Sequence, residues 1–196
     1  MKVVIVKYNA GNVQSVTYAL ERLGVSPILS DDPATILAAD KVIFPGVGEA
    51  STAMQYLRSR GLDQVLIALK QPFLGVCLGM QLMCSHSEEN DTSCLGIFSE
   101  QVKRFSDESL KVPHMGWNRL VNVQTPLLQE LGDAPYVYFV HSYYVDAGPD
   151  TIAQADYGQT FSAALHRDNF YATQFHPEKS GEVGGKILEN FLNRIE

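Results

Sequence analysis

Short, continuous apolar runs alternate with helical periodicity over the first half of the chain. The runs at Val3 to Val6, Lys41 to Phe44 and Phe73 to Val76 are typical of parallel strands that are buried on both faces. Between the first two runs, apolar residues recur at three- and four-residue spacing: Val13, Val16, Leu20 and Leu23. This spacing predicts an amphipathic helix, with Asn12 as its N-cap and Gly24 as its C-terminal stop.

The second half of the chain is dominated by β-forming runs. After Cys94, five of them are separated by Gly, Pro, Asp and Asn: Leu120 to Val123, Tyr136 to Val145, Thr151 to Ala155, Phe161 to Leu165 and Phe170 to Phe175. Strands in such close succession pair partly antiparallel. Val183 to Ile195 carries one apolar stripe and predicts a closing helix. We therefore predict an α/β fold, with an open, mixed but mostly parallel sheet covered by helices on both faces, in one domain over residues 1–196.

Composition narrows the possible functions. The chain has 15 basic and 22 acidic residues, a net charge of −7, and no basic run that would supply the positive field needed for nucleic-acid binding. The longest apolar stretches, such as Pro72 to Leu78, are far shorter than a bilayer span, and the N-terminus lacks a signal-type segment. We expect a soluble, cytoplasmic protein without a nucleic-acid or membrane partner.

The three cysteines, Cys77, Cys84 and Cys94, are too few for a secreted disulfide framework. If residues 77 to 84 are helical, the α-carbons of Cys77 and Cys84 stand about 10 Å apart, beyond the roughly 7 Å limit for a disulfide. No CxxC or HxxxH spacing that would indicate zinc occurs. We expect reduced cysteines, no metal and no cofactor.

Cys77 lies where a buried strand runs directly into an apolar helix. Gly75 and Gly79 flank it two positions away on either side. A nucleophile elbow needs such small residues, because its strained central residue brings strand and helix close together. The helix N-terminus also favours a thiolate. A lone cysteine in an apolar run is usually a small core residue, but the paired glycines favour the elbow.

A cysteine nucleophile needs a base, and His176-Pro-Glu178 is the strongest candidate among the five histidines. The proline restricts the backbone, so the imidazole and carboxylate can project to one side and form a triad with the cysteine. The alternative is that His176 only ends a strand and Glu178 is solvated.

An acyl-transfer site also needs N–H donors for an oxyanion. The amide of Leu78 follows the nucleophile, and the turn Gly46-Val47-Gly48 ends a buried strand. A plain strand-to-helix connection would have the same glycines. Because ligands bind at the carboxyl ends of parallel strands, both segments should face one crevice.

Three segments, Gly75 to Gln81, Pro45 to Gly48 and Gln174 to Glu178, together resemble the class I, Cys-His-Glu glutamine amidotransferases over essentially the whole chain. The resemblance implies the flavodoxin-like fold of that family and a glutaminase reaction. In this reaction Cys77 attacks the side-chain amide of glutamine, His176 protonates the departing ammonia and then activates water, and Glu178 orients His176.

The resemblance also implies binding roles. The backbone of Gly46, Val47, Gly48 and Leu78 would hold the oxyanion and substrate. The predicted glutamine-binding side chains are Gln81, Glu89, Ser142 and Tyr143, with Glu88 as a neighbour that competes with Glu89 for its role. Lys7 stands where the family usually has an acidic residue, so any role of that residue is in doubt here.

We predict a turn at Pro113 to Asn118. Within the family, the chain is similar to glutaminase subunits of imidazole glycerol phosphate synthases in histidine biosynthesis, on the basis of Met80, this turn and His141-Ser-Tyr143. The resemblance implies a heterodimer with a (β/α)8-barrel cyclase that receives the ammonia. The predicted partner-interface residues are Asn12, Trp117, Asn118 and Tyr138. The alternatives are the glutaminase subunit of another amidotransferase, a cysteine hydrolase or DJ-1-like protein with the same elbow, and an inactive scaffold.

Overall fold

The fold was determined as a computed structural model that describes residues 1–9, 13–106, 109–123 and 125–195. The elements in chain order are β1 (Val3–Val6), α1 (Val13–Arg22), β2 (Ile28–Ser30), α2 (Pro33–Leu37), β3 (Lys41–Gly46), α3 (Ala50–Ser59), α4 (Leu62–Ile67), β4 (Phe73–Cys77), α5 (Leu78–Met83), β5 (His86–Ser87), β6 (Thr92–Ser93), β7 (Gln101–Arg104), β8 (His114–Arg119), a 3-10 helix (Pro126–Leu128), β9 (Tyr136–His141), β10 (Tyr143–Val145), β11 (Thr151–Asp156), β12 (Thr160–Arg167), β13 (Phe170–Thr173), a second 3-10 helix (Pro177–Lys179) and α6 (Gly181–Asn193).

The main sheet has the strand order β2-β1-β3-β4-β13-β12-β10-β7-β5-β6, with β11 beside β12. The strands from β2 to β13 along this order are parallel, and antiparallel pairing begins where β13 meets β12. The predicted open, mixed sheet is therefore confirmed. A separate antiparallel ribbon is formed by β8 and β9.

Both faces of the central parallel strands β1, β3, β4 and β13 are buried, which explains why their sequences are mostly continuous apolar runs. On β1, Val3 and Ile5 pack into one core with α1 and α6, whereas Val4 and Val6 pack into a second core with α2 to α5. The helices thus cover both faces of the sheet, as predicted. No helix in the described ranges has the length and apolar character that crossing a membrane requires.

The structure corrects the prediction in the second half of the chain. Residues 120–123 do not form a strand and make only an isolated bridge between Val121 and Gln154. The strand lies just before them, at His114–Arg119, where the sequence predicted a turn. The inner face of this strand carries hydrogen-bonded polar side chains, so it shows no apolar alternation. The run from Tyr136 to Val145 also breaks at Ser142 into β9 and β10, which belong to different sheets.

Close packing between α5 and β3 makes Gly79 a sensitive position. A Cβ atom at Gly79 would overlap the carbonyl oxygen of Phe44 and lie 2.9 Å from its carbonyl carbon. We expect Gly79→Ala to lower the free energy of unfolding by about 1–3 kcal/mol, because the backbone of β3 cannot move aside without disturbing the sheet. Urea unfolding measures this change.

The matched control is Gly185→Ala in α6, where a Cβ atom meets nothing within 4 Å. There the same substitution should stabilise the protein by about 0.8–1 kcal/mol, because alanine is the better helix former. Equal effects at the two positions would contradict the packing explanation.

Candidate active site

Cys77 ends β4 and immediately precedes α5. Its backbone has φ +55° and ψ −108°, a strained conformation for a residue with a side chain. A Cβ atom at Gly75 would overlap Met83 Sδ and stand 3.1 Å from the Gly79 carbonyl carbon, so Gly75 is required by the close approach of β4 and α5. Gly79 is required by the contact of α5 with Phe44 on the neighbouring strand β3. This is the geometry expected of a nucleophile elbow.

His176 and Glu178 form a buried pair beside the elbow. His176 Nδ1 lies 2.8 Å from Glu178 Oε1, and each side chain is 1% exposed. Burial opposes the charged imidazole, but the negative charge of Cys77 and the contact with Glu178 outweigh it and raise the pKa of His176 to about 10. Because Glu178 engages Nδ1, Nε2 is the nitrogen that remains for the cysteine. The arrangement can store a proton on His176 and deliver it next to Cys77.

The Cys77 sulfur lies 3.9 Å from the carbonyl oxygen of Val140 and 3.7 Å from Nε2 of Gln174, which donates to it. The other two cysteines are poorer nucleophiles. Burial raises the pKa of Cys84 well above its usual value and the pKa of Cys94 to about 12.

A cavity of about 300 Å³ opens over Cys77, a volume suited to a small ligand. It is lined by seven of the predicted substrate or oxyanion residues and by Cys77 itself: Val47, Gly48, Leu78, Gln81, Glu89, Ser142 and Tyr143. Three further lining residues were not predicted: Pro113, Val140 and His141. The structure thus brings the carboxyl ends of β3 and β4 to one crevice.

Gly46 is the predicted backbone residue that does not line this cavity. It is the last residue of β3, paired with Cys77 of β4, and is buried. A Cβ atom there would overlap the hydroxyl of Tyr8. The absence of a side chain at Gly46 therefore leaves the space that the Tyr8 hydroxyl occupies next to β3.

Of the two neighbouring glutamates, only Glu89 lines the cavity. Its Oε2 accepts a hydrogen bond of 2.7 Å from the amide of Ala50, and burial raises its pKa. Glu88 is exposed and accepts instead from the amide of Arg104. The structure thus favours Glu89 for contact with a ligand.

The amide nitrogen of Gln81 forms two hydrogen bonds within the protein. It donates to the carbonyl oxygen of Tyr143 and to Oε1 of Gln174, both at 3.0 Å. Only Oε1 of Gln81 remains for a bound ligand.

The predicted interface residues separate on the β8–β9 ribbon. Trp117 is 56% exposed and meets Tyr138 edge-on, with ring centroids 6.1 Å apart. Asn118 faces the opposite side, because successive strand residues alternate, and its Nδ2 donates to the carbonyl oxygen of Asp156. The structure gives no support to Asn118 as a direct partner contact. Asn12 lies outside the described residues.

Several polar residues at the site were missed by the sequence prediction. Gln174 is fully buried between Gln81 and Cys77, and His114 and His141 form a buried pair near the cavity wall. Tyr8 is buried close to Cys77. Its burial and, to a smaller extent, the negative charge of Cys77 raise the pKa of Tyr8 well above its usual value. The sequence signal that could have identified Gln174 is its position as a polar residue within the apolar run Phe170 to Phe175.

The family described as glutamine amidotransferase class-I matches residues 4–195 of this chain. Among individual relatives, a protein of Bacteroides fragilis named imidazole glycerol phosphate synthase subunit HisH is 57% identical over 194 residues, which cover 98% of this chain and 99% of the relative. The Escherichia coli protein of the same name is 48% identical over 194 residues, with the same coverage of both chains.

Solved structures agree on the fold. One described as a glutamine amidotransferase has a TM-score of 0.75 at 19% identity and covers 96% of each chain. A glutamine amidotransferase from Thermotoga maritima has a TM-score of 0.64 at 16% identity, covering 98% of this chain and 83% of that one. The flavodoxin-like prediction for the sheet and its helices is consistent with these neighbours.

Proposed function

This chain belongs to the class-I glutamine amidotransferase family, and from that premise we propose that it is the glutaminase subunit of an imidazole glycerol phosphate synthase. The observation that carries the proposal is the near full-length identity of 57% to a relative with that subunit name, in a chain whose elbow cysteine stands beside a buried His–Glu pair. Another amidotransferase subunit or an unrelated cysteine hydrolase is not favoured by these relatives, and an intact triad argues against an inactive scaffold.

The proposed reaction uses the three residues of the triad in two steps. The Cys77 thiolate adds to the side-chain amide carbon of glutamine, and His176 transfers its proton to the leaving nitrogen as the carbon–nitrogen bond breaks. Ammonia departs and a thioester remains on Cys77. His176 then takes a proton from water, the resulting hydroxide displaces the sulfur, and glutamate is released. Glu178 holds His176 in the orientation and charge state that both steps need.

The surrounding backbone stabilises the oxyanion formed in each step. The amide of Leu78 follows the nucleophile, and Val47 and Gly48 border the same cavity. Gly48 has φ +129° and open space where a Cβ atom would stand, so its peptide can adopt orientations that other residues reach only with strain. We assign glutamine recognition to Gln81 Oε1, Glu89, Ser142 and Tyr143.

The partner surface in this proposal is the outer face of the β8–β9 ribbon. Three large side chains there are more than half exposed, Met115 at 62%, Trp117 at 56% and Tyr136 at 52%, and exposed apolar side chains in such a group favour a protein contact. The ribbon also supplies Val140 and His141 to the cavity wall. A (β/α)8-barrel cyclase docked on this face would therefore lie beside the site of ammonia release. We also propose that residues 1–196 form a single domain and that the protein acts in the cytoplasm.

Glutamate release should depend on that partner. We expect the purified chain to hydrolyse glutamine at least about a hundredfold more slowly than the complex with the cyclase and its phosphoribosyl ligand, because a misdirected oxyanion donor alone costs a hundred- to thousandfold in rate. Glutamate production is measured for the chain alone, with cyclase, and with cyclase plus ligand. Equal rates in all three samples would contradict this coupling.

A further inference from the structure

Two buried histidines that the proposed reaction does not use are joined to each other near the cavity. His114 Nδ1 lies 2.9 Å from His141 Nε2, and the side chains belong to residues that are 4% and 5% exposed. The His114 ring stacks between Phe139 and Tyr157, with centroids 5.0 Å and 4.0 Å away. Such packing fixes the ring, so the hydrogen bond joins two immobile partners.

The contacts of this pair determine where each proton sits. His141 Nδ1 lies 2.7 Å from the carbonyl oxygen of Tyr143, and a carbonyl oxygen only accepts, so Nδ1 carries the hydrogen. Burial lowers the pKa of His141 to about 3 and that of His114 to about 4, and both rings are neutral near pH 7. Nε2 of His141 is therefore an acceptor, and His114 donates to it from Nδ1.

The far end of the pair agrees with this direction. His114 Nε2 must then be an acceptor, and Nδ2 of Asn118 lies 3.5 Å from it. The orientation of the Asn118 amide is set independently, because its Oδ1 accepts from the amide of Arg119 while Nδ2 donates to Asp156. A charged His141 would instead place two N–H groups against each other.

The Tyr143 carbonyl connects the histidine pair to the cysteine. The same oxygen accepts a second hydrogen bond from Gln81 Nε2, which also donates to Gln174 Oε1. Gln174 in turn donates from Nε2 to Cys77 Sγ. A continuous series of hydrogen bonds thus runs from the β8–β9 ribbon through the cavity wall to the sulfur.

We propose that His114 and His141, held as neutral Nδ1–H tautomers, are positioning residues that fix the Tyr143 carbonyl and, through Gln81 and Gln174, the hydrogen bond donated to the Cys77 sulfur. This inference rests on the proposed glutaminase function. His141 also stabilises the connection from β9 to β10. Its hydrogen bond to the Tyr143 carbonyl spans Ser142, where the chain passes from the ribbon to the main sheet.

The first test uses the full chain in complex with its cyclase, with heavy nitrogen in its histidines. Long-range proton–nitrogen NMR spectra at pH 7 should show His114 and His141 as neutral rings with hydrogen on Nδ1. A hydrogen on Nε2 of either ring, or a charged ring, would overturn the inference. This measurement needs no turnover, so its result is independent of whether the chain is a glutaminase.

The second test compares three variants in the same complex. His141→Phe places an aromatic ring without nitrogen atoms at the same position. The Tyr143 carbonyl and His114 then lose a hydrogen-bond partner. We therefore expect kcat for glutamine to fall about tenfold to a hundredfold, with a smaller change in KM. His141→Asn restores an N–H where Nδ1 stands and should recover much of kcat. Tyr157→Phe is the matched control, since it removes only the hydroxyl bond to the Lys111 carbonyl and should leave kcat unchanged.

The outcomes separate this inference from the proposed function. A wild-type complex that releases no glutamate refutes the function. An active wild type with an equally active His141→Phe variant refutes the positioning role, as does an Asn variant as slow as the Phe variant, since the restored donor would then not matter.

Discussion

Cys77→Ala should lower the glutamine-dependent rate of the complex by about 10⁴-fold or more, because removing the nucleophile of a triad eliminates the covalent step that the other groups serve. The ammonia-dependent rate, measured with added ammonium salt, should be unchanged, since that reaction belongs to the cyclase. Both rates are measured on one preparation of the mutant complex.

The matched control is Cys94→Ala. Cys94 is only partly buried, and its sulfur contacts the Thr92 carbonyl, away from the cavity lining. This variant should keep both activities. A comparable loss of the ammonia-dependent rate in Cys77→Ala would show that Cys77 supports the assembly of the complex and would refute its catalytic assignment.

Glu178→Gln should reduce kcat for glutamine by about 10⁴-fold, by analogy with the loss when the carboxylate of a serine triad becomes an amide. The carboxylate accepts a hydrogen bond from Nδ1–H of His176. A glutamine amide can instead donate to that nitrogen and favour the neutral tautomer with hydrogen on Nε2, which cannot take a proton from water in the second step. Because Glu178 helps to raise the pKa of His176, the variant should also lower it. NMR titration of His176 measures the shift.

Glu130→Gln provides the exposed counterpart of this substitution. Glu130 forms ion pairs with Lys186 and Arg194 on the surface, where such pairs contribute about 0–1 kcal/mol. Its kcat should equal that of the wild type. If Glu178→Gln also retained full kcat, His176 would not depend on its carboxylate partner.

The elbow could be predicted from the sequence because its requirements are local. Gly75, Cys77 and Gly79 stand within five positions of one another, and Gly75 is limited by the helix that follows it directly, although the limit on Gly79 comes from Phe44 on the distant strand β3. His176 and Glu178 are likewise near neighbours around a proline. The buried parallel strands were predicted for the same reason, since each is a continuous apolar run.

What the sequence did not predict depends on distant contacts. Gln174 is buried because it bridges Gln81, 93 positions away, and Cys77, and no periodicity records that arrangement. β8 was mistaken for a turn because its inner face carries His114 and Asn118, whose partners come from other strands. The edge strand β2 is three residues long with two exposed apolar side chains, too short for a pattern to identify.

The transfer of ammonia from Cys77 to a docked cyclase is tested most directly by the origin of the nitrogen in the product. The complex is supplied with glutamine carrying heavy nitrogen in its side-chain amide, together with an excess of unlabelled ammonium, and the imidazole glycerol phosphate is analysed by mass spectrometry. The account predicts product that carries mostly the heavy label, because ammonia passes between the subunits without mixing with the solvent pool. Product labelled only in proportion to the total ammonia in solution would contradict it.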